Sequence, residues 1–110
     1  KLDDNVKRIT DYIDNDFANV NLSIDNIADT LDMSPAYVSR LYKKCTLKTV
    51  GEYIAEVRMN KAKELLLKTD YVIDEIAKQT GFNNTTYFYK AFKKYTGITP
   101  SDYRKAPHVK

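Results

Sequence analysis

At 110 residues the chain has room for one domain, or for two small subdomains that share a helix. Its 43% hydrophobic content supplies a core, while three glycines, three prolines and no low-complexity tract argue against disorder and against a turn-rich all-β fold. The net charge of +3 is unevenly spread: residues 1–32 carry eight acids and three bases, residues 33–110 seven acids and fifteen bases, so the larger part can face a polyanion.

The apolar period is helical from end to end. Leu2, Val6, Ile9, Ile13 and Phe17 predict a first helix near residues 3–17, which Asn19 and Asn21 interrupt. Ser23 is an N-cap for a short helix holding Ile24, Ile27, Ala28 and Leu31. Asp32 to Pro35 is a turn, and Pro35 opens a helix with Val38, Leu41, Tyr42 and Cys45 on its apolar side. Thr49 and Glu52 have capping-box spacing and start the longest helix, roughly 50–67. Asp70 precedes a short helix with Ile73, Ile76 and Ala77, and Thr80 to Asn83 form the next turn. A helix near 85–95 then carries Phe88, Ala91, Phe92 and Tyr95 on one face and ends at Gly97, before a last short helix opened by Thr99 and Pro100.

The chain repeats itself. At an offset of 49, Ile24, Asp25, Ile27, Ala28 and Met33 fall on Ile73, Asp74, Ile76, Ala77 and Phe82. With one residue inserted in the turn, where insertions are tolerated, the offset becomes 50. Tyr37, Val38, Leu41 and Tyr42 then fall on Tyr87, Phe88, Ala91 and Phe92, and Lys43, Lys44, Thr46, Thr49 and Tyr53 on Lys93, Lys94, Thr96, Thr99 and Tyr103. A short helix, a tight turn and a longer helix thus occur twice, the order of a helix-turn-helix whose second helix enters the major groove.

The polar faces repeat as well. Ala36, Ser39, Arg40 and Lys43 form one stripe; Thr86, Tyr89, Lys90 and Lys93 form its counterpart, with Thr85 at the start. Small and hydroxyl residues admit close approach to bases, and Arg40 or Lys90 has the reach for guanine O6 and N7. Lys44 and Lys94, near the helix ends, suit phosphates.

The stretches "IAKQTGFNNTTYFYKAFKKYTGITPSDYR", "SIDNIADTLDMSPAYVSRLYKK" and "GEYIAEVRMNKAKELL" resemble AraC/XylS-type transcription regulators over roughly residues 5–104. The resemblance implies an all-α, homeodomain-like domain of seven helices: a helix-turn-helix subdomain over 1–48, a linker helix over 49–67, and a second subdomain with the tail over 68–110. It implies double-stranded DNA as partner, read in two successive major-groove segments. Ala36, Ser39, Arg40, Thr85, Thr86, Tyr89 and Lys90 are the expected base contacts. Ser34, Tyr37, Lys43, Lys44, Asn84, Lys93 and Lys94 are the expected backbone contacts, with packing an equal alternative for Tyr37. An attached effector-binding or receiver domain, and contact with RNA polymerase as an activator, are further expectations. Three residues depart from the family pattern. Leu47 stands where glycine is common, which implies either a left-handed residue or a changed turn, at a cost of roughly 1 kcal/mol. Val72 replaces a cap, and Ala36 is small where relatives carry a larger contact residue.

Other classes are weaker. A helical adaptor that kept the fold but binds protein would carry acidic or bulky apolar groups on the two stripes, and a duplicated bundle that only packs would not repeat its exposed face. An enzyme is not expected: there is no Gly-rich phosphate loop and no zincin-like motif, and Asp14, Asp16, Asp74 and Glu75 suit surface and helix-start positions. Cys45 is the single cysteine, so no internal disulfide can form, and with His108 the only histidine no metal or cofactor is expected. No apolar run approaches the ~18 residues of a membrane span and no signal peptide is visible, so a cytoplasmic location with no membrane partner is expected.

Overall fold

Seven helices succeed one another along residues 2–107, the part that the computed structural model describes: α1 (Leu2–Asp16), α2 (Ile24–Leu31), α3 (Pro35–Thr46), α4 (Val50–Lys68), α5 (Ile73–Gln79), α6 (Thr85–Thr96) and α7 (Pro100–Lys105). No strand occurs among the described residues. His108 lies outside them, as does Lys1. The chain forms two compact units whose boundary falls inside α4, between Val57 and Arg58.

Each unit has its own core. In the first, Ile9 and Ile13 of α1 pack with Ile27 and Ala28 of α2 and with Val38, Leu41 and Tyr42 of α3, and Val50 and Ile54 of α4 close the cluster. In the second, Met59, Ala62, Leu65 and Leu66 of α4 pack with Ile76 and Ala77 of α5, with Phe82 of the turn and with Phe88 and Phe92 of α6. Full burial of one such side chain contributes about 1.5–3 kcal/mol. Helix α4 therefore has two apolar faces in sequence, one for each core.

The helix ends follow the sequence signals. Ser23 accepts the Asn26 N–H and Asn26 returns a bond to the Ser23 N–H, so the box is closed by Asn rather than Glu. Thr49 and Glu52 form the second box: Glu52 accepts from the Thr49 N–H at 2.8 Å, and this bond holds its carboxyl below the usual range. Val72 makes no side-chain cap, and α5 starts without one. Leu47 is left-handed at φ 65°, in the place of Gly97 at φ 92°. Just before each, a threonine closes the same circuit. Thr46 donates to Tyr42 O at 2.7 Å and accepts from the Lys48 N–H; Thr96 donates to Phe92 O at 2.8 Å and accepts from the Ile98 N–H. Arg104 of α7 donates from Nε to Leu66 O and from Nη2 to Thr69 O, satisfying carbonyls at the C-terminal end of α4 that have no helical partner.

Three details of the apolar stripes differ from the sequence reading. Cys45 is exposed, because the buried stripe of α3 stops at Tyr42. Tyr95 is 48% exposed, with the Lys63 ammonium 5.7 Å from its ring centre, because the core covers α6 only as far as Phe92. Phe17 is half-buried, beyond the end of α1 and outside the main cluster.

Leu47 is 79% exposed, so its side chain adds little to burial while its backbone is strained. Leu47→Gly should therefore stabilise the chain by roughly 0.5–1 kcal/mol, the left-handed penalty less the added freedom of the unfolded glycine. Gly97→Leu should destabilise by a similar amount, since a Cβ there meets nothing within 4 Å and only the backbone objects. Urea titrations of both variants check this pair, and equal midpoints would contradict it.

Candidate nucleic-acid interface

The two longer helices of the repeat, α3 and α6, are placed by the same local devices. Before each, a chain reversal ends the shorter helix in a left-handed residue, Asp32 at φ 59° and Gly81 at φ 92°. The next residue's N–H then reaches five residues back: Met33 to Ala28 O at 2.8 Å, Phe82 to Ala77 O at 2.9 Å. This is the six-to-one bond of a Schellman ending, and it turns Met33 and Phe82 inward onto their cores. An N-cap follows. Ser34 Oγ accepts from the Tyr37 N–H at 3.1 Å, and Asn84 Oδ1 from the Tyr87 N–H at 2.9 Å.

With Val38, Leu41 and Tyr42 buried, α3 leaves Ala36, Ser39, Arg40, Lys43 and Lys44 exposed. With Phe88 and Phe92 buried, α6 leaves Thr86, Lys90, Lys93 and Lys94 exposed, and Thr85 half-buried at its start. Neither helix contains a carboxylate; each carries three cations. That contrast with a chain holding fifteen acids was open to sequence inspection and is as informative as the stripes. A surface cavity of about 350 Å³ is lined by Tyr37, Arg40, Leu41 and Lys44, so Arg40 and Lys44 share one side of α3.

Several of the expected contact residues have partners inside the fold. Tyr37 is half-buried and its hydroxyl accepts from Asn5 Nδ2 at 3.0 Å, a packing role. Tyr89 is half-buried and its hydroxyl is 2.8 Å from Ser101 Oγ, which ties α6 to α7. Lys43 donates to Leu47 O at 3.2 Å and so helps to close the end of α3. Ser34 and Asn84 use their side-chain oxygens as caps. Tyr87 is the residue that sequence reasoning passed over: it is 62% exposed in the first turn of α6, although the repeat aligns it with Tyr37. Among the described residues no group of three His, Cys, Asp or Glu side chains is placed to hold a metal ion.

A helix-turn-helix domain model matches residues 27–106, most of the chain. The chain belongs to the AraC/XylS-type family of transcription regulators. It is similar to the bifunctional transcriptional activator/DNA repair enzyme AdaA of Bacillus subtilis, with 40% identity over 91% of this chain and 47% of that protein. It is also similar to the transcriptional regulatory protein YesN of the same organism, with 37% identity over 91% of this chain and 28% of that one. Among solved structures, the C-terminal domain of AraT, a response regulator from Geobacillus stearothermophilus, matches with a TM-score of 0.91 and 36% identity, over 96% of this chain and 87% of that domain. This AraC/XylS-type chain is a DNA-binding domain of a transcription regulator, and it spans less than half the length of these two curated relatives.

Removing the Asn84 cap by Asn84→Ala should cost about 1 kcal/mol, and Ser34→Ala a similar amount. Thermal melts of the two variants check the equivalence of the caps; a change well under 0.5 kcal/mol in either would show that the turn, not the cap, fixes that helix.

Proposed function

We propose that this domain recognises a specific duplex sequence by laying α3 and α6 into two successive major-groove segments, as the DNA-reading part of a cytoplasmic transcription activator. The observation that carries the reading is the matched pair of carboxylate-free, cation-bearing faces on α3 and α6, each held by the same cap and the same left-handed turn. Arg40 and Lys90 sit mid-helix on the exposed faces and are the bidentate readers of guanine. Ala36 lies against a thymine methyl, and Ser39, Thr85, Thr86 and the edge of Tyr89 complete the base contacts. Lys44, Lys93 and Lys94 take phosphates, with Lys43, Ser34 and Asn84 at the flanks. The whole regulator adds an effector-binding or receiver domain, and as an activator it touches RNA polymerase. No helix among the described residues is long and apolar enough to cross a membrane.

Arg40→Ala and Lys90→Ala should each lose about 1–3 kcal/mol of preference for the selected sequence over a scrambled duplex. Lys44→Ala and Lys94→Ala should weaken both duplexes alike and flatten the salt dependence by about one phosphate each. Fluorescence anisotropy on the two duplexes across a salt series separates these outcomes, and identical behaviour of all four variants would overturn the assignment of roles.

A further inference from the structure

We propose that Arg58 of α4 and the hydroxyl of Tyr87 together hold a DNA phosphate beside the second reading helix, so that the helix shared by the two units is itself part of the DNA-binding surface. The inference rests on the reading of α6 as a groove-binding helix and adds a contact from outside it.

The two side chains share one aromatic platform. The Arg58 guanidinium lies 5.8 Å from the centre of the Phe82 ring. The Tyr87 ring lies 5.7 Å from the same centre, tilted by 50°. Phe82 is 8% exposed, fixed by its bond to Ala77 O and by an edge contact to Phe88 at 5.2 Å. A cation and a phenol thus share one ring, the phenol in the first turn of α6. Stacking restrains the guanidinium in advance, and its planar fork of donors suits a phosphate better than a mobile ammonium does. Burial pulls the Arg58 pKa down while Tyr87 opposes the shift, and an arginine keeps its charge under such conditions.

The first unit supplies a comparison within the same molecule. Matching the core positions, Val6 with Met59, Ile9 with Ala62 and Ile13 with Leu66, puts Asn5 where Arg58 stands. The repeat puts Tyr37 where Tyr87 stands. In that unit Asn5 donates to the Tyr37 hydroxyl at 3.0 Å, and the tyrosine is half-buried. A neutral amide is therefore enough to brace a tyrosine against its core. The second unit has a cation in the same place and a tyrosine that is 62% exposed, a change that bracing does not require and that an anion from outside would use.

The test uses this chain and a mixed-sequence DNA duplex, because a phosphate contact does not depend on sequence. Arg58→Met keeps the apolar stem over Phe82, and Arg58→Lys keeps the charge. Arg58→Met should weaken duplex binding roughly tenfold at low salt and reduce the slope of log affinity against log salt by about 0.9. Arg58→Lys should keep most of that slope, and Tyr87→Phe should lose affinity with the slope unchanged. An unchanged slope for Arg58→Met overturns the proposal, whether affinity falls or not, since a merely structural role would lower affinity without altering ion release. Lys94→Ala in the same assay keeps the two readings apart. If it loses slope while Arg58→Met does not, α6 still lies along DNA and only the Arg58 contact is wrong. If neither loses slope, the reading of α6 falls as well.

Discussion

The six-to-one hydrogen bond that ends the shorter helix of each repeat, α2 and α5, Met33 N–H to Ala28 O and Phe82 N–H to Ala77 O, is the constraint on which the rest depends. It requires a left-handed residue just before it, supplied by Asp32 in one unit and Gly81 in the other. It reverses the chain within a few residues and drives an apolar side chain into the core. The following helix is then committed: its cap lies one residue beyond the plug in the first unit and two beyond it in the second, its apolar stripe must meet the plug, and its opposite face must meet solvent or a ligand. Asp32 accepts the left-handed conformation as a short polar residue can, where most side chains would resist.

The two units solve the same problem with different chemistry at the edges. Aromatic stacking dominates the second core, where Phe82, Phe88, Phe92 and Tyr103 form a chain of tilted and edge contacts. The first core relies more on aliphatic packing and on tyrosine hydroxyl bonds at its edge. Tyr42 lies 3.1 Å from the Thr10 hydroxyl, and burial pushes its pKa up; Tyr53 donates to Asp14 at 2.7 Å, and burial with that carboxylate raises its pKa further. Asp14 of α1 thus ties that helix to the N-terminal half of α4.

Most of the helical framework was legible in the sequence because its signals are local. Helix ends came from Ser23, Pro35, Thr49, Gly97 and Thr99, and the left-handed Leu47 came from its alignment with Gly97. The stripes of α3 and α6 followed from a three- and four-residue period. What stayed hidden depends on distant partners. Nothing along the chain says that Tyr37 meets Asn5, that Tyr89 meets Ser101, or that Arg104 reaches the end of α4, because those pairs are set by packing. Periodicity also cannot say where a covering element stops, and for that reason Cys45 and Tyr95 looked like core residues and lie at the surface. The exposure of Tyr87 escaped for the same reason: its partner in the repeat is covered by α1, and the sequence carries no sign that Tyr87 is not.

The central claim is that both units read bases. Selection of binding sites by this chain from a pool of random duplexes at moderate salt tests it most directly. Two short conserved blocks about 10 base pairs apart are the predicted result, one for α3 and one for α6. A single enriched block, or none, would contradict it.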